Sequence, residues 1–136
     1  MGQDMDALFS HVDCIELYVS DLDAGIAYYC DSLGLKLLWR TQTTVGLGMA
    51  EGVTEVVLQT ERKQMNVDFK VDSVVQAVEK IVAAGGRVLQ GPFDIPIGQC
   101  AVVQDKWENA YVILDMTRGR YIIDDKGAVV GVQKDP

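Results

Sequence analysis

The chain has 136 residues, 49% of them apolar and 24% charged, with a formal net charge of −8. This length and composition are typical of one soluble globular domain that buries its own core. The acidic balance argues against nucleic acid as a partner, because phosphate binding needs clustered Lys and Arg, and no apolar run approaches the roughly 20 residues that span a bilayer.

The cysteines and the N-terminus indicate the compartment. Cys14, Cys30 and Cys100 have no metal-binding spacing, and their odd number favours reduced thiols. Residues 1–6 are acidic and lack the basic and apolar regions of a secretory signal. We therefore expect a cytoplasmic protein with no membrane association.

The first predicted unit begins with a strand at about residues 12–19, where apolar and polar side chains alternate. Asp21 is suited to cap a helix, and Gly34 stands where a left-handed C-terminal cap would end it. Between them, apolar side chains recur at helical spacing: Leu22, Ile26, Tyr29 and Leu33. Three strands are expected after this helix, at about 36–42, 44–50 and 54–60.

The same order of elements returns 52 positions later, with Ser73 in the place of Asp21. A strand at about 66–71 leads to a helix over about 73–84, and strands are predicted at about 87–91, 98–104 and 110–116. Residues 91–96 include two prolines, so we expect a loop near the sheet edge. A repeat of this length predicts two copies of one βαβββ unit, whose helix covers one face of its sheet.

The expected fold is therefore α+β, with two tandem βαβββ modules forming a cleft between curved mixed sheets. Residues 1–136 make a single domain, in which module 1 covers about 11–60 and module 2 about 65–118. The extension at 119–136 is predicted to form a small hairpin, which we expect to take part in dimer contacts.

Paired βαβββ units resemble the vicinal oxygen chelate superfamily, which includes glyoxalase I, the extradiol dioxygenases and the bleomycin and fosfomycin resistance proteins. Three motifs carry the resemblance: the strand-to-helix passage at 19–24, the Tyr28-Tyr29 pair with Leu33-Gly34-Leu35, and the turn at 105–109. In that turn, Lys106 and Glu108 stand where the family usually has Pro and Gly. The resemblance implies the fold, but the superfamily hosts many chemistries on one scaffold.

The resemblance also implies four cleft positions that bind a divalent ion in the metal enzymes of the family. In this chain they are Cys14, Asn66, Val57 and Val112. A catalytic metal needs about three imidazole, carboxylate or thiolate ligands, so we predict no family-type metal centre and no cofactor. A relocated divalent metal on Glu16, Asp68 and Glu55 stays open as a less favoured alternative.

Strand parity predicts which side chains line the cleft. They are Cys14, Glu16, Tyr18, Glu55, Val57, Gln59, Asn66, Asp68, Lys70, Val112 and Leu114. Glu16 and Asp68 are repeat partners, so a pseudo-twofold axis could bring their carboxyl groups together. They could hold a cationic or polyhydroxylated ligand, act as general acid or base, or simply be solvated beside Lys70. Trp39 is expected in the core.

These features favour a homodimeric protein that binds a small organic ligand in the cleft without a metal, as the drug-sequestering resistance proteins do. The competing hypothesis is a glyoxalase-like lyase or isomerase, or a dioxygenase, that uses relocated metal ligands or carboxylate acid/base catalysis. A third possibility is a scaffold whose cleft is filled by its own side chains.

Overall fold

Eight strands form one sheet in the computed structural model, which describes residues 6–134. The acidic N-terminal segment considered above therefore lies almost wholly outside the described residues. The strands of the sheet are β1 (His11–Tyr18), β2 (Lys36–Arg40), β3 (Thr44–Gly48), β4 (Glu55–Gln59), β5 (Asn66–Lys70), β6 (Arg87–Ile95), β7 (Gly98–Gln104) and β8 (Ala110–Leu114). The helices are α1 (Leu22–Ile26), continued by a π-helical segment (Ala27–Ser32), and α2 (Val74–Ala83).

The two modules meet edge to edge. The strand order is β2-β3-β4-β1-β5-β8-β7-β6, so each half contains one module. β1 is parallel to β4 and β5 is parallel to β8, whereas β1 and β5 run antiparallel at the centre. The prediction of an α+β fold built from two βαβββ modules with mixed sheets is confirmed, and the structure adds that the two sheets are continuous.

Both helices begin where their capping residues predicted. The Asp21 carboxylate accepts a hydrogen bond of 2.8 Å from the Ala24 amide, and the Ser73 hydroxyl accepts one of 3.3 Å from the Gln76 amide. These bonds satisfy amide groups that have no partner within the helix. Gly34 has a φ of 82°, which confirms the left-handed cap.

The end of the first helix differs from the prediction. Leu33 is 53% exposed, although helical spacing placed it on the buried face. After Ile26 the chain widens into a π-helical turn, in which the Leu33 amide bonds to the Tyr28 carbonyl five residues before it. The extra residue in the turn rotates Leu33 away from the core.

The core lies between the helices and one face of the sheet. Two clusters of buried side chains form it, one in each module: Leu22, Val45, Leu47 and Leu58; and Val71, Val74, Ala77, Ile81, Ala101, Val103 and Ile113. Since successive strand residues point to opposite faces, the alternate residues of the central strands form a second face, opposite the helices. We call it the polar face.

Residues 91–96 were predicted to form a loop, and this was wrong, because β6 continues to Ile95. The strand does lie at the edge of the sheet, as expected, and its register with β7 shifts between Gln90 and Phe93. An edge strand has one unpaired side, so a proline there need not remove a ladder hydrogen bond.

The C-terminal extension forms the predicted hairpin, from β9 (Arg120–Ile123) and β10 (Val129–Gln133). It is attached to the edge of module 1, where the Arg40 amide donates a hydrogen bond of 2.8 Å to the Gly127 carbonyl. Within residues 6–134, no helix is long and apolar enough to cross a membrane.

Candidate functional site

The polar face brings the predicted cleft residues together at the junction of the modules. Cys14 lies opposite Glu55 on one side and Asp68 on the other, and Glu16 lies opposite Val57 and Asn66 in the same way. Directly opposed residues point to the same face of a sheet. The remaining predicted residues follow in the same registers, which pair Asp68 with Val112, Lys70 with Leu114, and Tyr18 with Gln59.

At the centre of this face, Glu16 and Asp68 form a buried carboxyl pair. They are 6% and 7% exposed, and their side chains are hydrogen bonded to each other. Burial, then the hydrogen bond and the negative charge of Glu16, raise the pKa of Asp68 to about 9. The raised pKa favours the neutral form of Asp68, in which its carboxyl group can donate a hydrogen bond to Glu16. The other oxygen of Asp68, Oδ1, is buried and has no hydrogen-bond partner among the described residues.

Two thiols face the carboxyl pair. Cys14 is 4% exposed and hydrogen bonded to Asp68; burial, followed by the charges of Asp68 and Asp13, raises its pKa far above the usual range. Burial and the charge of Asp68 also raise the pKa of Cys100 on β7. Both sulfurs therefore stay protonated at neutral pH, which makes them poor nucleophiles and poor metal ligands.

Arg62 covers the carboxyl pair from the segment between the modules. Its Nη2 lies 2.5 Å from Glu16 Oε1, and its side chain is 58% exposed. Gln59, only 2% exposed, holds the backbone beneath: its Oε1 accepts hydrogen bonds from the Glu61 and Arg62 amides at 2.8 and 2.7 Å, and its Nε2 donates to the Arg62 carbonyl at 2.5 Å. The sequence prediction placed Gln59 on this face but missed Arg62, because the linker has no periodicity.

A second group on the polar face consists of Trp39, Glu55, Tyr121 and Asp13. The Trp39 Nε1–H donates to Glu55 at 2.7 Å, and the Trp39 and Tyr121 rings are 5.3 Å apart. Burial raises the pKa of Glu55, against the lowering effect of the Trp39 hydrogen bond. Burial and the nearby charges of Glu55 and Asp13 also raise the pKa of Tyr121.

Three members of this group were not expected here. Trp39 was predicted in the core, which is wrong: its cross-strand neighbour is Gly46, and the absent side chain leaves room for the indole. Asp13 reaches the carboxylates because the register of β1 shifts between Val12 and Cys14. Tyr121 comes from the hairpin beyond the repeat, where the repeat carries no information.

The residues present do not fit the metal centre that the family resemblance implies. Val57 and Val112, 8% and 9% exposed, offer no donor atom at two of the four positions. Asn66 offers a weak amide oxygen, and Cys14 is held as a thiol. Across residues 6–134, no three His, Cys, Asp or Glu side chains are grouped to hold a metal ion, and this includes Glu16, Glu55 and Asp68.

Two surface cavities lie away from the carboxyl pair, one near Lys70 and one along the first helix. One, of about 190 Å³, is lined by Lys70, Asp72, Met116, Thr117 and Arg120. The other, of about 320 Å³, lies along the first helix and is lined by Val19, Ser20, Asp21, Ala24, Gly25, Tyr28 and Tyr29. Of the predicted site residues, only Lys70 lines either of these two cavities. Glu16 and Asp68 are 6% and 7% exposed, so a ligand reaches them only if the side chains above them move.

The chain is similar to known proteins both in its sequence pattern and in its fold. The model of the Glyoxalase/Bleomycin resistance protein/Dioxygenase superfamily matches residues 9–113. No curated protein matches the sequence. Among solved structures, methylmalonyl-CoA epimerase from Mycobacterium tuberculosis is similar with a TM-score of 0.69 at 13% identity, over 83% of this chain and 92% of that one.

Two further structures share the fold at low identity. A hypothetical protein from Bacillus halodurans C-125 has a TM-score of 0.65 at 17% identity, over 76% of this chain and 92% of its own. A variant of homoprotocatechuate 2,3-dioxygenase from B. fuscum has a TM-score of 0.54 at 21% identity, over 79% of this chain but 33% of its own. These neighbours show a shared fold, on which an epimerase and a dioxygenase both occur.

Proposed function

The chain belongs to the Glyoxalase/Bleomycin resistance protein/Dioxygenase superfamily, and from this premise we propose that it binds a small organic molecule on its polar face, at the Glu16–Asp68 pair, without a family-type metal. Binding alone would then be its activity, as in the drug-sequestering proteins that the sequence resembles. The proposal rests on the residues of the face and not on the activity of any relative.

The observation that carries the proposal is the unsatisfied oxygen of Asp68. Buried polar atoms in folded proteins almost always have a hydrogen-bond partner, and leaving one without costs about 1–3 kcal/mol. Asp68 Oδ1 has none among residues 6–134, although the residue is 7% exposed. A ligand that donates an N–H or O–H group to this oxygen would remove that cost, and it would bind there in preference to a purely apolar molecule.

The surroundings of the pair supply the rest of a binding surface. Val57 and Val112 offer apolar contact on the two strands that flank β1 and β5. Trp39 and Tyr121 form an aromatic wall beside Glu55, where a planar group could stack. Such a mixture of apolar surface and a few placed polar groups is typical of small-molecule sites.

Acid/base catalysis by the same pair is a second candidate, favoured by one specific observation. The raised pKa of Asp68 keeps a proton next to Glu16 at neutral pH, and a carboxyl group tuned in this way suits a general acid. If the protein is an enzyme, a compound that binds wild type is converted to an isomer or a cleavage product. The Asp68→Asn variant then binds the compound without converting it.

A cytoplasmic, homodimeric state completes the proposal. Ile122, Ile123, Val130 and Val132 on the C-terminal hairpin are all more than a third exposed, and a second copy of the chain would cover such side chains. Light scattering coupled to size exclusion measures the mass, and a monomeric mass at high protein concentration would contradict the dimer.

The test of binding combines a ligand screen with metal analysis. Wild type and Asp68→Leu are screened with neutral and charged organic compounds by thermal shift, and every hit is identified as bound by native mass spectrometry. Leucine has no oxygen to accept a hydrogen bond, so we expect hits that stabilise wild type, lose most of their effect in Asp68→Leu and persist in Asp125→Leu, which removes an exposed carboxylate. Near-stoichiometric zinc, nickel, manganese or iron that is lost with Glu16→Gln would contradict the metal-free site.

A further inference from the structure

Arg62 has an unusual relation to the carboxyl pair that it covers. Glu16 is 6% exposed, whereas the Arg62 side chain that reaches it is 58% exposed. A buried carboxylate needs a compensating cation or donor, and here the cation comes from the surface rather than from the packed face. The contact can therefore be broken without opening the core.

The backbone beneath Arg62 does not need to move when its side chain does. The Gln59 side chain accepts two hydrogen bonds from the Glu61 and Arg62 amides and donates one to the Arg62 carbonyl, and these hold the backbone in place. Rotation about side-chain bonds alone would carry the guanidinium into solvent, which exposed side chains do within nanoseconds. In this structure the polar face is closed by Arg62 on Glu16, and rotation of this side chain alone would open it without a change of fold.

Arg62 also satisfies the pair incompletely. It neutralises Glu16, yet Asp68 Oδ1 remains buried and without a partner among the described residues. A group that lies deeper than the guanidinium of Arg62 and carries at least two N–H donors could bond both Glu16 and Asp68 Oδ1. The carboxyl groups of Asp13 and Glu55, in the second group described above, add negative potential to the same face.

From this geometry we propose that Arg62 is an internal substitute for the ligand, and that the ligand is an organic cation with several N–H donors, such as an amidine, a guanidine or a primary amine. The inference rests on the proposed binding function and narrows it to a chemical class. Binding requires Arg62 to leave Glu16, so Arg62 competes with the ligand and lowers its apparent affinity by the fraction of time that the site is closed.

Removal of Arg62 is the direct test, because its side chain is largely exposed and its truncation leaves no cavity in the core. Wild type, Arg62→Ala and Lys63→Ala are titrated calorimetrically at pH 7 with benzamidine and agmatine. Lys63 is the exposed neighbour and carries the same charge, so its variant controls for the change in net charge. If the closed state holds ~90% of the molecules, Arg62→Ala binds these cations ~10-fold more tightly than wild type, whereas Lys63→Ala does not.

Two further probes test the chemical class. Tetramethylammonium is a cation without N–H groups, and benzamide is the neutral counterpart of benzamidine. We expect both to bind Arg62→Ala at least ~10-fold more weakly than benzamidine. Equal affinity of benzamide and benzamidine for Arg62→Ala would overturn the inference. So would equal affinities of Arg62→Ala and Lys63→Ala for benzamidine and agmatine. A third contradicting result is that neither cation binds Arg62→Ala.

Failure of the inference can be told from failure of the proposed function. If neutral compounds from the ligand screen bind wild type and lose affinity in Asp68→Leu, the polar face binds a ligand and only the cationic class is wrong. If no compound of any charge binds wild type or Arg62→Ala, the binding function itself is contradicted.

Discussion

Trp39 donates its indole hydrogen to Glu55 across the intervening strand β3, at a distance of 2.7 Å. The indole can cross β3 because its neighbour there is Gly46: a Cβ atom on Gly46 would lie 2.0 Å from Trp39 Nε1. The aromatic wall of the polar face thus depends on the absence of one methyl group in the adjacent strand.

Gly46→Ala should displace Trp39 and break its hydrogen bond to Glu55. We expect a loss of about 1–3 kcal/mol in the free energy of unfolding, as for an overpacked core position, and a red shift of the Trp39 fluorescence as the indole is exposed. Urea denaturation and emission spectra measure both. The Trp107→Phe background removes the other tryptophan, whose side chain is 74% exposed.

Gly48→Ala is the matched control, two residues further along β3. The heavy atoms nearest to its Cβ would be those of the Leu38 side chain, at 3.3 Å, and a flexible side chain can yield by a few tenths of an ångström. If both alanine variants lose the same stability and the emission of Trp39 does not change, the role assigned to Gly46 is wrong.

Asp115→Asn should destabilise module 2. The carboxylate of Asp115, 2% exposed, accepts hydrogen bonds from the Val74 and Gln99 amides, each at 2.9 Å, and from both the amide and the hydroxyl of Thr117. An amide group cannot accept all of them, so we expect a loss of about 2–4 kcal/mol at pH 7 in urea denaturation. Asp125→Asn, on an exposed turn, should leave the stability unchanged.

The pH dependence of this variant has a defined sign. Burial alone would raise the pKa of Asp115, but the hydrogen bonds from Val74, Gln99 and Thr117 outweigh it and hold the pKa below the usual value. The contribution of the Asp115 carboxylate to the free energy of unfolding is therefore present above the unfolded pKa of about 3.9. It is lost as the pH falls through the lower folded pKa. The difference between wild type and Asp115→Asn should shrink below about pH 4; a constant difference would contradict this account.

The parts of the fold that depend on local chemistry were predictable from the sequence. Asp21 and Ser73 predict where the helices begin, because a capping side chain bonds only to amides in the next turn. The polar face was predictable because alternation along β1 and β5 is strict enough to assign Glu16 and Asp68 to one side. Neither prediction depends on how the two modules pack against each other.

The contacts that complete the candidate site were not predictable, and each has its own physical reason. Arg62 reaches Glu16 over 46 positions from a linker without periodicity. Asp13 joins the face through a shift of register, which no alternation pattern encodes. Leu33 was predicted on the buried face because the residue pattern does not distinguish a π-helical turn from an α-helical one.

Gln59→Leu should free the segment that carries Arg62. The Gln59 side chain accepts from the Glu61 and Arg62 amides and donates to the Arg62 carbonyl, and leucine can do neither. We expect hydrogen exchange at the Glu61 and Arg62 amides to accelerate at least ~10-fold, since three hydrogen bonds of about 1 kcal/mol each no longer hold the segment. Gln76→Leu on the exposed side of α2 is the control, and unchanged exchange in Gln59→Leu would contradict the assigned contact.

Cys14 and Cys30 should differ in reactivity. Cys14 is 4% exposed and burial, followed by the charge of Asp68, raises its pKa far above the usual range, whereas Cys30 is half-buried at the end of the first helical region. We expect iodoacetamide at pH 8 to alkylate Cys30 at least ~10-fold faster than Cys14, as measured by peptide mass spectrometry. In concentrated guanidinium chloride the two rates should converge, and rapid labelling of Cys14 in the folded protein would contradict its burial.

Asp68→Asn should change how stability depends on pH. Folding raises the pKa of Asp68 to about 9, through burial and the contact with Glu16, so the folded chain binds more protons than the unfolded chain between about pH 4 and 9. Wild type should therefore lose up to ~1.4 kcal/mol per pH unit relative to Asp68→Asn as the pH rises from 5 to 8. Urea denaturation across this range measures the slope, and Asp125→Asn, which removes a carboxylate from an exposed turn, should run parallel to wild type. Parallel curves for wild type and Asp68→Asn would mean that Asp68 is ionised in the folded protein and shares no proton with Glu16.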